Sequence, residues 1–235
     1  MKGVAFDSWR HIGSAIQAVK VYNMREVDEL VFLDITATRD GRPPDFRTID
    51  DIADECFMPM TVGGGVRSVE DVGRLLAVGA DKVAINTAAV ETPGFLPEVA
   101  RTFGAQCLVV SIDALRHPDG TLEVLTHSGT RPTGRAPVDL AREVEALGAG
   151  EILLTSVDRD GTMTGYDVAL VRQVTKAVTI PVIASGGAGS YADMAAAIIE
   201  GGASAVSATS IFQFTQQTPL EAKRFLHGQG IPVRL

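Results

Sequence analysis

Two stretches of this chain are copies of one pattern. Residues 59–90 read PMTVGGGVRSVEDVGRLLAVGADKVAINTAAV, residues 181–212 read PVIASGGAGSYADMAAAIIEGGASAVSATSIF, and the two align without a gap. Gly64 and Gly65 fall on Gly186 and Gly187, Gly79 on Gly201, and Thr87 on Thr209. A shorter match, one residue out of step, joins LDITATRDG at 33–41 to LTSVDRDG at 154–161. An internal repeat constrains the architecture first, because each copy must build the same supersecondary unit.

In the second copy that unit reads as a buried strand at 181–185, a Gly-Gly-Ala-Gly turn, a helix at 191–200 and a strand at 205–211. A glycine turn between strand and helix bares backbone N–H groups where an anion can approach closely. Thr209 and Ser210, at the end of the next strand, can add donors to the same anion. Asn86 and Thr87 hold the matching place in the first copy. One phosphate cradle per half predicts a ligand with a phosphate at each end. The plainer reading is that the glycines only make tight turns; the matched pair, ending in Asn-Thr and Thr-Ser, favours phosphate.

The remaining segments alternate in the same way. A polar loop at 6–11 precedes a helix at 11–22 and a continuous apolar strand at 29–35. A helix at 46–55, a strand at 58–62, a helix at 68–78 with Ser68 as N-cap and a strand at 82–86 follow. Next come a helix at 95–103, a strand at 107–114, an extra hairpin arm at 121–127, a helix at 137–147, a strand at 151–157 and a helix at 168–177. After the second copy, a helix at 219–227 closes the chain. Apolar strands alternating with helices imply a parallel sheet covered on both faces. Seven strands are counted where a closed barrel has eight. The predicted class is α/β, a (β/α)8 TIM-type barrel forming one domain over 1–235. Its two duplicated half-barrels cover about 1–114 and 115–235. The first strand is expected to be absent from this chain, preceding Met1; an eighth strand built from residues 1–10 would contradict that.

The chain has 235 residues, 46% of them hydrophobic and 21% charged, which is ample for a large core. Its net charge is −8 and no Lys/Arg run interrupts it, which argues against nucleic acid as a partner. Anionic ligands must therefore be held by local donors. Cys56 and Cys107 lie apart in apolar contexts, as expected of a reduced, cytoplasmic protein. No spacing of His and Cys suggests a metal, no cofactor is implied, and no apolar run predicts a membrane span.

Working residues of parallel α/β barrels sit at strand C-terminal ends and in the following loops. Those positions hold Asp34, Gly65, Asn86, Thr87, Asp113, Thr155, Asp158, Asp160, Gly161, Ser185, Gly187, Thr209 and Ser210. Asp113 ends a strongly apolar strand, a setting that raises a carboxyl pKa and suits acid–base work; the alternative is a structural acceptor. For Asp34 the structural and functional readings stand level. Asp160 and the Gly161 N–H can reach the second phosphate, while Arg159 can pair with Asp158 or Asp34. The four histidines, His11, His117, His127 and His227, are expected to be solvated.

Taken together, DELVFLDITA (28–37), TVGGGVRS (61–68), GADKVAINTAAVE (79–91), SIDA (111–114), GAGEILLTSVDRDGTMTGYD (148–167) and ASGGAG (184–189) resemble the cyclase subunit family of imidazole glycerol phosphate synthase, a ribulose-phosphate-binding barrel. INTAAV with DRDGTMTGYD separates the chain from the sibling isomerase barrel. The resemblance implies a lyase of histidine biosynthesis. It adds ammonia to a bis-phosphorylated aminoimidazole-carboxamide ribulotide, giving imidazole glycerol phosphate and a carboxamide ribonucleotide. A glutaminase docked on the N-terminal face as a heterodimer supplies the ammonia through the barrel. By resemblance, Asp113 is a catalytic aspartate and Lys2 the lysine after the first strand. Gly65, Asn86 and Thr87 serve one phosphate; Asp160, Gly161, Gly187, Thr209 and Ser210 serve the other. Glu29, Lys82 and Glu151 belong to a charged ring at the ammonia entrance, or are ordinary surface ion pairs.

Three departures qualify this. The second catalytic aspartate and the ring's arginine belong to the first strand, and Gly13-Ser14-Ala15 stands where the family has Gly-Asp-Pro. As given, the chain is expected to be catalytically impaired. RPPDFRTIDDIADECFMP (42–59) also resembles a paralogous branch that works with an amidotransferase in acetamidino modification of bacterial surface sugars. A non-catalytic phosphate-binding scaffold is the third reading.

Overall fold

The computed structural model describes residues 13–235, Phe6, and the backbone of Lys2–Val4 and Asp7–Arg10. The Lys2 side chain and His11 lie outside the described residues.

The chain begins with β1 (Lys2–Val4) and β2 (Asp7–Arg10), an antiparallel pair forming a sheet of its own. This corrects the polar loop expected at 6–11. Then follow α1 (Ala15–Met24), β3 (Leu30–Leu33), α2 (Phe46–Ala53), β4 (Met60–Gly63), α3 (Val69–Ala77), β5 (Lys82–Ile85), α4 (Thr87–Glu91) and α5 (Phe95–Phe103). The middle of the chain supplies β6 (Leu108–Arg116), β7 (Leu122–Thr126), β8 (Arg131–Pro132), α6 (Pro137–Ala146), β9 (Glu151–Ser156) and α7 (Val168–Thr175). It ends in β10 (Val182–Ser185), α8 (Tyr191–Ile199), β11 (Ala205–Val206), α9 (Ser210–Phe214) and α10 (Pro219–Gly228).

Seven strands pair in parallel in the order β11-β10-β9-β6-β5-β4-β3, a TIM-type (β/α) arrangement. No eighth parallel strand is found among the described residues. The arm β7–β8 adds antiparallel to the C-terminal half of β6, as the sequence predicts for 121–127, with the two-residue β8 as an addition. No helix among the described residues is long and apolar enough to cross a membrane.

The repeat is visible at the level of single hydrogen bonds. Ser68 and Ser190 each cap a nine-residue helix, and each cap is closed by an aspartate, Asp71 or Asp193, whose carboxylate accepts from the cap's own N–H. Gly64 (φ +103°) packs against the carbonyl of Asp34, and Gly186 (φ +86°) against that of Ser156. A Cβ at either position would collide with that carbonyl, so only glycine fits. Leu30 pairs with Met60, and Ile152 with Val182. The spacing that carries Met60 onto Val182 therefore carries Leu30 onto Ile152. This corrects the slip inferred for 33–41: the strands stay in register, and the loop after them absorbs the difference in length.

The strand expected at 205–211 stops at Val206. The hydroxyl-bearing run Ser207-Ala208-Thr209-Ser210 leaves the sheet, and Thr209 becomes the cap of α9, its carbonyl accepting from Phe212 and Gln213. Asn86 is likewise a helix cap and not the last residue of a strand. The left-handed glycine after α8 is Gly202 (φ +77°), whereas the first copy uses Gly79 (φ +105°), which aligns with Gly201. The first helix begins at Ala15, four residues later than expected, behind Ser14.

Most of the core lies between sheet and helices, built on fully buried Ile52, Leu75, Leu108, Leu140, Ile152 and Leu170. A second, smaller cluster of Ala84, Val109, Leu153 and Ile183 with Val31 lies on the other face of the strands, as period-2 alternation requires. Cys107 is buried and Cys56 half-buried; both thiols are free, and burial pushes both pKa values up.

Candidate active site

Three layers line the concave face of the sheet. At the N-terminal ends of the strands, the Lys82 ammonium lies 3.1 Å from Glu29 and 2.9 Å from Glu151. Burial alone would lower the pKa of Lys82, but hydrogen bonds and charge from Glu151 and Glu29 outweigh it and raise it. The apolar cluster around Leu153 forms the middle layer. The C-terminal ends present Asn86, Ser111, Asp113, Thr155 and Ser185. One cavity of about 1230 Å³ reaches all three layers, touching Glu29 and Glu151 below and Gly64, Gly65, Thr87, Asp113, Asp160 and Thr209 above.

Asp113 is 8% exposed. Burial pushes its carboxyl up to about 7; the Ser111 hydroxyl, donating at 3.1 Å, pulls it down, and the charge of Asp160 pushes it up again. A carboxyl poised there can give or take a proton at neutral pH.

The second cradle is a small polar recess of about 30 Å³ beside the main cavity, lined by Asp160, Gly161, Gly186, Gly187, Thr209 and Ser210. The Ser210 hydroxyl is buried and has no hydrogen-bond partner among the described residues. A buried hydroxyl left so loses its hydration without compensation, and an oxyanion in the recess would supply the missing partner.

The first cradle is built differently. The Asn86 carboxamide donates to the carbonyls of Ser111 (3.1 Å) and Leu125 (3.3 Å). The Thr87 hydroxyl donates to Asn86 Oδ1 at 3.2 Å and accepts from the His127 N–H at 3.0 Å. The Gly65 N–H donates to the Thr38 hydroxyl at 3.2 Å. These side chains therefore also hold the arm and the β3 loop against the cradle.

Asp34 lines the cavity and also ties its own loop: its Oδ1 accepts from the N–H groups of Thr36 and Ala37, and its Oδ2 faces Arg42 at 3.3 Å. Arg159 pairs with neither Asp158 nor Asp34, a correction to the sequence reading. Its guanidinium donates to the carbonyls of Gly165 and Tyr166, closing its own loop. His117 and His127 are not simply solvated, because each ring lies against a glutamate, Glu123 at 2.8 Å and Glu91 at 3.1 Å.

Sequence reasoning missed Arg116, His127, Ser128, Tyr166 and Asp167. Arg116 donates to Asp167 at 2.6 Å, and Asp167 is only 5% exposed. The buried Tyr166 hydroxyl donates to the Ser207 carbonyl at 2.9 Å, linking the two loops around the second cradle, and burial pushes its pKa up. Only the arm, read as an extra, hinted at these links.

A protein-family model described as histidine biosynthesis protein matches residues 1–218.

Proposed function

The chain belongs to the histidine biosynthesis protein family, and from that premise we propose that it is the ammonia-using cyclase of the pathway. One observation carries this reading: a single cavity is lined at once by the first glycine turn (Gly64, Gly65), by Asp160, Ser185 and Thr209 beside the second, and by the buried carboxyl of Asp113. The ligand is a bis-phosphorylated aminoimidazole-carboxamide ribulotide. One phosphate sits at Gly65, Asn86 and Thr87, the other at Gly161, Gly187, Thr209 and Ser210. Each product of the reaction carries one phosphate, so each stays in its own cradle as the bond between them breaks.

Asp113 moves a proton at the reacting centre, and Thr155 and Ser185 line the wall beside it. The apolar middle layer keeps bulk water from the path between floor and mouth. Glu29, Lys82 and Glu151 form the entrance for ammonia delivered by a glutaminase subunit docked below. Lys2 is matched to the lysine after the family's first strand by resemblance alone. The motifs INTAAV and DRDGTMTGYD favour the cyclase over the sibling isomerase.

The experiment is turnover of the ribulotide with ammonium chloride as nitrogen source, followed by release of the carboxamide ribonucleotide. Asp113→Asn should lower kcat by about 100-fold or more. Ser210→Ala should raise KM by about tenfold, the loss of one charge-assisted hydrogen bond. Ammonia-dependent turnover would exclude the scaffold reading.

A further inference from the structure

The β6–β7–β8 arm grows from the strand that carries Asp113 and holds both halves of the site. At its base, the Arg116 N–H donates to Asp158 at 3.3 Å, and its guanidinium donates to Asp167 at 2.6 and 3.1 Å. Asp158 and Asp167 bracket the loop that carries Asp160 and Gly161. Asp167 is also the N-cap of α7, so the end of that loop is fixed to a helix. At the tip, the Ser128 hydroxyl donates to the Ile35 carbonyl at 2.8 Å, and the His127 N–H donates to Thr87. Ile35 precedes the loop whose Thr38 accepts from Gly65. The tip thus touches both walls of the first cradle.

Its backbone is held in an unfavourable shape. His127 (φ +51°), Ser128 (φ +57°) and Gly129 (φ +78°) are left-handed in succession, and two of them carry side chains. Such conformations persist where surrounding contacts over-determine them, and they concentrate at ligand clamps.

We propose that this arm is a spacer fixing the separation of the two anion cradles, with Arg116 and Ser128 as positioning residues at its two ends. The proposal rests on the two-phosphate reading above. A ligand with two anionic ends gains over a single phosphate only when both cradles stand at the matching distance. The second contact is then made at high effective concentration, and looseness at either end dissipates that advantage. Neither residue needs to touch the ligand.

The test compares two probes, inorganic phosphate and the bis-phosphorylated ribulotide, titrated calorimetrically without ammonia into the full chain and into Ser128→Ala, Arg116→Met and Arg116→Lys. Ser128→Ala and Arg116→Met should bind inorganic phosphate within about twofold of the parent but the ribulotide about tenfold more weakly, with Arg116→Lys between. Ser128→Ala leaves no buried charge unpaired, so it still reports if Arg116→Met does not fold. Unchanged ribulotide binding, or equal losses for both probes, overturns the spacer. A parent protein that binds the ribulotide no better than phosphate overturns the two-phosphate reading itself, a failure visible before any variant is made.

Discussion

Burial of Asp113 beside Ser111 acts on stability as well as on chemistry. The carboxyl ionises near its ordinary value of 3.8 in the unfolded chain and at about 7 in the folded one. Between those values the folded state keeps a proton that the unfolded state has released, so stability falls as pH rises through the interval. The loss is on the order of 4 kcal/mol, complete above pH 7. Asp113→Asn has no proton to lose. Its melting temperature should match that of the parent near pH 4 and exceed it at pH 8 by about 8–16 °C, at about 2–4 °C per kcal/mol for a chain of this size. Thermal melts at the two pH values decide it; a variant less stable than the parent at pH 8 would show that Asp113 sits in the fold ionised without penalty. The substitution proposed to lower turnover would then stabilise the protein, the trade expected where a site is held in an unfavourable protonation state.

Elements repeat more faithfully than residues do. In both copies an aspartate at the third helical position accepts from the N–H groups at the end of the glycine turn: Asp71 from Arg67 and Ser68, Asp193 from Gly189 and Ser190. Each cap thereby fixes the exit of its glycine turn. Asp71→Ala and Asp193→Ala should each cost about 1–2 kcal/mol, measured by urea unfolding with an unchanged slope. The two losses should add within about 0.5 kcal/mol in the double variant, because the caps share no partner. What the sequence made legible at this scale was whatever periodicity and glycine spacing encode: the parallel strands, the turns, and Ser68 as a cap. The early end of β11 was hidden because Ser207 to Ser210 follow an apolar run without a glycine or proline to mark the break. The turn at 127–129 was hidden because two non-glycine residues in succession rarely adopt left-handed backbone. Arg116 and Asp167 meet across 51 positions of chain, a distance no local pattern reaches.

At the scale of the whole molecule, the sheet has two outer strands, β3 and β11, whose far edges pair with no strand among the described residues. Curvature must then come from side chains as well as from the hydrogen-bond ladder. Lys82 supplies part of it. It stands on β5, yet its partners stand on or next to β3 and β9, each two strands away, so one ammonium draws together five neighbouring strands across the concave floor. The geometry also keeps Glu29 and Glu151, like charges, from facing each other without a cation. Lys82→Met would remove both effects at once. Partial exposure of the cluster limits the loss to about 1–3 kcal/mol. That loss should not be spread evenly. Amides of β6 and β9, flanked by strands on both sides, should keep their slow hydrogen exchange, while those of β3 and β4 should exchange faster, because the tie that curls that edge inward is gone. Peptide-resolved exchange on the parent and on Lys82→Met measures this directly. Uniform acceleration across all seven strands would mean that Lys82 contributes only to global stability and that the curvature is set by the backbone alone.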